Sequence, residues 1–215
     1  MTIYRRLPDR LQAAGARAVA VTSIAGHFCI DAFKAVSLLP VVDMLAEVDR
    51  GVEREGLLRV GIIGTRVAME TRLYGAVRHA QVVAPPADLL RQVHDAYSAM
   101  AVTGAVTEAQ RALFFSAGRV LVEDLGAEAV LLGGTDLGLA FAGRDPGFRT
   151  FDCAAVHAAA IAEVAAGCAQ GGSRWRRSGV PAGRPAAFPH LEDEPLFGTT
   201  PRSRSSRGDL ARPGP

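Results

Sequence analysis

The feature that most constrains this chain is a set of short apolar runs, each closed by small or turn-forming residues. Ala18-Val19-Ala20-Val21 leads into Thr22-Ser23, and Arg59-Val60-Gly61-Ile62-Ile63 leads into Gly64-Thr65. Ala80-Gln81-Val82-Val83 is stopped by Pro85-Pro86, and Ala129-Val130-Leu131-Leu132 runs into Gly133-Gly134-Thr135-Asp136. Thr150-Phe151-Asp152 is a shorter fifth candidate. A strand with one wet face alternates apolar and polar residues. These runs do not alternate, so both of their faces are expected to be buried, as in a parallel sheet covered by helices.

Helical patterns fill the intervals. Thr107-Glu108-Ala109-Gln110 reads as a capping box, in which the threonine accepts from the third helical amide and Gln110 reaches back. Leu113, Phe114, Ala117, Val120 and Leu121 follow at helical spacing up to Gly126, a natural stop. Leu89, Leu90, Val93, Tyr97 and Met100 form a second stripe, and the Ala-rich stretch from Ala154 to Ala166 a third. The expected class is therefore α/β, with parallel sheets flanked by helices.

Charge divides the chain near residue 168. Residues 168–215 hold eight arginines against four acids and seven of the twelve prolines, while residues 1–167 carry sixteen bases against eighteen acids. The mildly acidic body offers no phosphate-tracking surface, so a nucleic-acid partner is not expected. The Pro-, Arg-, Ser- and Gly-rich end lacks the apolar periodicity needed to offset ordering entropy, and a disordered tail is expected there. A basic interaction segment around Arg174, Trp175, Arg176 and Arg177 is the other reading. No run of eighteen uncharged apolar residues exists to span a bilayer. Three widely spaced cysteines (Cys29, Cys153 and Cys168) do not form a disulfide framework. Together with a start that lacks an apolar leader, this points to a cytoplasmic protein.

In an open parallel sheet, ligands sit beyond the carboxyl ends of the strands. Three such ends carry small polar groups: Thr22-Ser23, Gly64-Thr65 and Gly133-Gly134-Thr135-Asp136. Amides opening there onto helix N-termini favour an anion such as a carboxylate. His79, His94 and His190 show no metal-ligand spacing with Cys or acidic partners. The only lysine, Lys34, lies in no phosphate loop.

The order and wording of these strand ends resemble the aspartate/glutamate/hydantoin racemase superfamily over roughly residues 3–167. The stretch from Val60 through Gly64-Thr65 to Met69-Glu70 is similar to that family's central strand, Gly-Thr turn and helix start. The stretch from Gly126 to Asp136 is similar to its second catalytic strand, and Phe151-Asp152 with His157 to its late strand and closing helix. The resemblance implies two similar α/β domains with a small acidic substrate between them, no cofactor, isomerase chemistry and frequent homodimers. It divides the chain into a partial first domain (1–58), a second domain (59–167) and the tail (168–215). The first domain is expected to lack a βα pair that the family carries upstream.

Two departures bear on chemistry. The family's first tip usually reads Cys-Asn-Thr with a histidine two residues on; here it reads Ser23-Ile24-Ala25-Gly26-His27. Its later motif usually reads Gly-Cys-Thr-Glu; here it reads Gly133-Gly134-Thr135-Asp136. Racemisation removes the α-proton on one face and returns one on the other, and a thiol with an ordinary pKa of about 8.5 suits both jobs. Serine is a far weaker acid and glycine has no side chain. One positioned acid/base group contributes roughly 10²–10⁴ in rate, so the usual two-thiol mechanism is not expected. By resemblance, Ser23, His27 and Asp136 are the catalytic candidates, and Ile24, Gly64, Thr65, Gly134 and Thr135 the substrate-binding ones. His27 either serves as base to the Ser23 hydroxyl or caps and packs the helix start. Asp136 either acts as a general base or caps the following helix. Cys29 and Cys153 match neither family thiol position and are expected to be packing residues. The rival readings are a non-catalytic carboxylate-binding relative and a truncated inactive product.

Overall fold

The computed structural model describes residues 2–169. The arginine- and proline-rich segment, including Trp175 and its neighbours, lies outside the described residues. The chain runs through α1 (Thr2–Ala13), β1 (Val19–Ala20), α2 (Ile30–Val36), β2 (Val41–Val42), α3 (Met44–Arg54) and β3 (Arg59–Gly64). It continues through α4 (Arg66–Glu70), β4 (Gln81–Val83), α5 (Ala87–Thr103), α6 (Glu108–Arg119), β5 (Ala129–Gly133), α7 (Gly138–Phe141), β6 (Thr150–Asp152) and α8 (Cys153–Ala169). Among the described residues, every strand pairing is parallel. β1 and β2 form one small sheet, and the second has the order β4-β3-β5-β6. The α/β class with parallel sheets flanked by helices is thus what the chain adopts. β2 follows Pro40 and was not among the expected strands; a two-residue strand is too short for any periodicity to announce it.

β3 and β5 are central because both faces of each are covered. Val60, Ile62, Ile63, Val130 and Leu131 are completely buried. Their register runs from Val60 opposite Ala129 to Gly64 opposite Gly133, so the two strands end side by side. That close ending requires glycine. A Cβ on Gly64 would lie 2.2 Å from the Gly133 carbonyl oxygen, a backbone atom that cannot step aside. At the other end, Glu128 accepts from the amides of Leu58 (2.6 Å) and Arg59 (3.0 Å), which satisfies the entry to β3.

The three helical stretches read from the sequence all form, with one departure. Thr107 and Gln110 form both halves of the capping box on α6. The helix does not run evenly to Gly126, however; Val120–Asp124 widens into a π-helical turn before the glycine. Crowding offers a reason, since Leu121 is wholly buried and its side chain stands 2.8 Å from where a Gly61 Cβ would be.

α8 returns to the first sheet. His157 on this helix bonds the Val42 carbonyl through Nε2 at 2.9 Å. Phe151, just before α8, lies so close to α3 that a Cβ on Gly51 would fall 2.6 Å from its ring. One continuous core therefore joins α3, β3, β5 and β6. We expect Gly64→Ala to cost about 3 kcal/mol or more, because backbone meets backbone. Gly104→Ala should cost only about 1–2 kcal/mol, the left-handed strain of one residue, since nothing lies within 4 Å of its would-be Cβ. Urea unfolding of the two variants checks the contrast.

Candidate functional site

The paired ends of β3 and β5 set the neighbouring residues in place. Beyond Gly64, Thr65 is the N-cap of α4 and its Oγ1 accepts from the Ala68 amide at 3.2 Å. The Arg66 amide donates to Nδ1 of His94, which reaches over from α5 (3.1 Å). Two of the amides that the sequence offers to an anion therefore already serve a threonine and a histidine. Beyond Gly133, the backbone passes through the buried Gly134 to the exposed Thr135 and the half-buried Asp136. Asp136 Oδ2 accepts from the Tyr97 hydroxyl of α5 at 3.1 Å. Burial, and next the Asp136 carboxylate, push the Tyr97 phenol up to about 12, so it stays protonated near neutrality.

The first strand end is built differently. After β1 the chain coils into a 3₁₀ turn over Ala25–Cys29. His27 lies inside this turn, 1% exposed, with Nδ1 2.8 Å from the Ser23 carbonyl oxygen. A carbonyl only accepts, so Nδ1 carries the proton and the lone pair falls on Nε2. That Nε2 is buried without a hydrogen-bond partner. The histidine thus engages the backbone of Ser23, while the Ser23 side chain is exposed and Ile24 is buried. The His157 ring lies edge-on to His27 with centroids 6.0 Å apart. Lys34 bonds Asp43 at 2.7 Å, and Asp43 caps α3 through the Leu45 and Ala46 amides.

Tyr74 ties this end to the second sheet. Its hydroxyl donates to the Ile24 carbonyl at 3.3 Å and lies 3.5 Å from that of Ala25. Tyr74 sits in a turn of three consecutive left-handed residues, Arg72, Leu73 and Tyr74, with φ of 52°, 56° and 60°. Each such non-glycine residue costs about 1–2 kcal/mol. Complete burial of Leu73 and the Tyr74 contacts hold the turn in place.

Positions 23 and 134 carry no sulfur. Cys153 is fully buried at the start of α8, and burial pushes its thiol far up, away from thiolate chemistry. The Cys29 thiol is also raised by burial and lies 3.7 Å from the Gly26 carbonyl oxygen. Asp152 caps α8, accepting from the Ala154 and Ala155 amides. Among the described residues, no three His, Cys, Asp or Glu side chains gather to hold a metal ion. None of the described helices is long and apolar enough to cross a membrane.

Sequence reasoning placed Tyr97 in an apolar stripe and passed over Tyr74 and His94 as partners of the tips. A phenol on an otherwise aliphatic stripe is itself a signal, because a buried tyrosine hydroxyl seeks an acceptor. His94 left no comparable trace, since its role depends on how α5 lies across α4.

Burial lowers the pKa of both His27 and His94 below the ordinary 6.5. For each, the unfolded chain binds the proton more readily than the folded one. The stability this lends is complete above pH 6.5 and is lost as pH falls below it towards the depressed folded values. Melting temperature should therefore hold steady above about pH 7 and fall below about 6.5. His27→Gln should flatten part of that fall, which melts from pH 5 to 8 would reveal.

Comparison with known proteins places this geometry. The Asp/Glu/Hydantoin racemase family model matches residues 4–161. Among solved structures, a Yersinia pestis protein described as a candidate Asp/Glu racemase aligns with a TM-score of 0.69 and 24% identity, covering 77% of this chain and 73% of that one. An aspartate racemase homologue from Pyrococcus horikoshii aligns at 0.67 and 22%, covering 77% and 74%. Picrophilus torridus aspartate racemase aligns at 0.60 and 16%, covering 76% and 69%. At these identities the structural likeness speaks to the fold. The family match covers well over half of the sequence, and the chain belongs to the Asp/Glu/Hydantoin racemase family.

Proposed function

We propose that this protein binds a small carboxylate, such as an acidic amino acid, and moves the proton on the carbon beside its carboxyl group without a cofactor. The observation that carries the reading is the in-register ending of β3 and β5, which sets Thr65 and Thr135-Asp136 on neighbouring strand ends in a racemase-family chain. Gly64, Thr65, Gly134 and Thr135 line the ligand, while Ile24, expected from the sequence to join them, packs in the core instead. The Thr65 and Thr135 hydroxyls hold its carboxylate, since the Arg66 and Ala68 amides are already engaged. Asp136 takes the proton, Ser23 supplies a hydroxyl from the opposite tip, and His27 fixes the loop that carries it. In this reading residues 1–58 form the first, shorter lobe and residues 59–167 the second, with the ligand between them. The wide cysteine spacing supports a reducing, cytoplasmic setting, and pairing of two copies follows family habit.

Proton transfer from carbon needs a base in contact with the hydrogen and an electrostatic sink for the enediolate that forms. Asp136 is half-buried and hydrogen-bonded, so it starts in a fixed orientation. With acidic amino acids in heavy water, the α-proton NMR signal should fade in the presence of the protein. Asp136→Asn should slow the exchange by about 10²-fold or more. Ligand-induced thermal stabilisation without exchange would favour a non-catalytic carboxylate binder. Neither effect with any acid tested would defeat the proposal.

A further inference from the structure

Gly134 stands where the racemase motif that the sequence resembles has a thiol, and the fold gives a reason for the glycine that the sequence does not. Its backbone is extended, with φ −150° and ψ 130°, a conformation open to every residue. Backbone geometry therefore does not demand glycine here. The demand comes from Tyr97. A Cβ on residue 134 would lie 2.3 Å from Cε2, 2.8 Å from Cζ and 3.1 Å from Cδ2 of that ring. Real Cβ atoms never approach so closely, so the ring occupies the volume into which a side chain at 134 would grow.

The ring is held on both sides. Tyr97 is only 8% exposed and shares the buried face of α5 with Leu90, Val93 and Met100. Its hydroxyl donates to Asp136 Oδ2, two residues beyond Gly134. The phenol thus fills the space of a side chain at 134 and at the same time grips the nearest carboxylate through one oxygen, leaving Oδ1 outside that contact.

Resting on the function proposed above, we infer that Tyr97 is a positioning residue that replaces the missing side chain at 134 and makes Asp136 the single base of this strand end. The site then exchanges the α-proton of its substrate with retention of configuration, rather than racemising it. In the forward step the Cα–H bond breaks, its electron pair passes into the adjacent carboxylate as an enediolate, and the proton moves to Asp136 Oδ1. In the reverse step the same oxygen returns a proton, exchanged meanwhile with solvent, to the same face. Tyr97 keeps its own proton throughout. Inversion would need a second acid/base group on the opposite face; the resemblance points to Ser23 for that place, and a serine hydroxyl is a far weaker acid than a thiol.

The test follows one enantiomer of the substrate in heavy water by α-proton NMR and by chiral chromatography, in the full chain and in Tyr97→Phe. Exchange without appearance of the other enantiomer is expected. Tyr97→Phe keeps the ring and removes only the hydroxyl, so the exchange kcat should fall about tenfold or more with KM little changed. A parallel cycle reads the crowding without any turnover. Gly134→Ala should lower the melting temperature sharply when Tyr97 is present and far less in a Tyr97→Ala background. Formation of the opposite enantiomer at the exchange rate would overturn the inference while leaving the proposed function standing. So would unchanged kcat in Tyr97→Phe, or an equal Gly134→Ala penalty in both backgrounds. Absence of exchange with every acid tested would overturn both.

Discussion

The structure depends on the contact between two backbones, where β3 and β5 end at Gly64 and Gly133. Parallel strands buried on both faces gain most when their apolar side chains interdigitate with helices above and below. At the carboxyl end of this pair, side chains vanish and the chains themselves close up. The 2.2 Å that would separate a Gly64 Cβ from the Gly133 carbonyl leaves no tolerance. Because the two strands finish together, the residues that follow are delivered side by side. Thr65 starts one helix and Gly134-Thr135-Asp136 starts another turn. The location of the candidate site is a consequence of this closure.

Around that anchor, several buried polar groups bond to backbone. His157 bonds the Val42 carbonyl, His27 the Ser23 carbonyl and Tyr74 that of Ile24. Asp49, 3% exposed, accepts from the Arg78 amide at 2.7 Å and from its guanidinium at 3.2 Å. Each bond crosses between elements or pins a turn, so removing one partner would leave a desolvated group stranded. Lys34 shows the balance of forces. Burial works against its ammonium, yet the bonds to Asp43 and Asp31 outweigh it and hold the group above its ordinary range. These contacts give the first strand end, which has only two short strands beneath it, the rigidity that its small sheet cannot supply.

Much of the fold was legible because its causes are local. Non-alternating runs such as Val60–Ile63 and Ala129–Leu132 can be stable only as doubly covered strands. Thr107 with Gln110 can cap a helix from sequence spacing alone. The π-helical turn after α6 was not legible, because it depends on how Leu121 packs against Gly61 of β3, a contact no local pattern carries. At the site, the residues that differ from the racemase pattern could be named from their positions, but their surroundings could not. Gly134 read as an absence. In three dimensions it is a close contact with a ring contributed from almost forty residues earlier in the chain. Nothing in a one-dimensional pattern distinguishes a glycine that has lost a side chain from one that makes room for another.

That distinction matters for how chemistry can change on a fixed fold. A thiol replaced by glycine in an empty pocket is recovered by a single substitution. Here position 134 and position 97 are sterically coupled, because a side chain at one requires the other to retreat. The coupling extends to Asp136, whose carboxylate orientation is set by the same phenol. A side chain at 134 would therefore press on the buried face of α5 and on the phenol that holds the Asp136 carboxylate. Tyr97, Gly134 and Asp136 are thus packed as one unit of three residues above the β3–β5 closure.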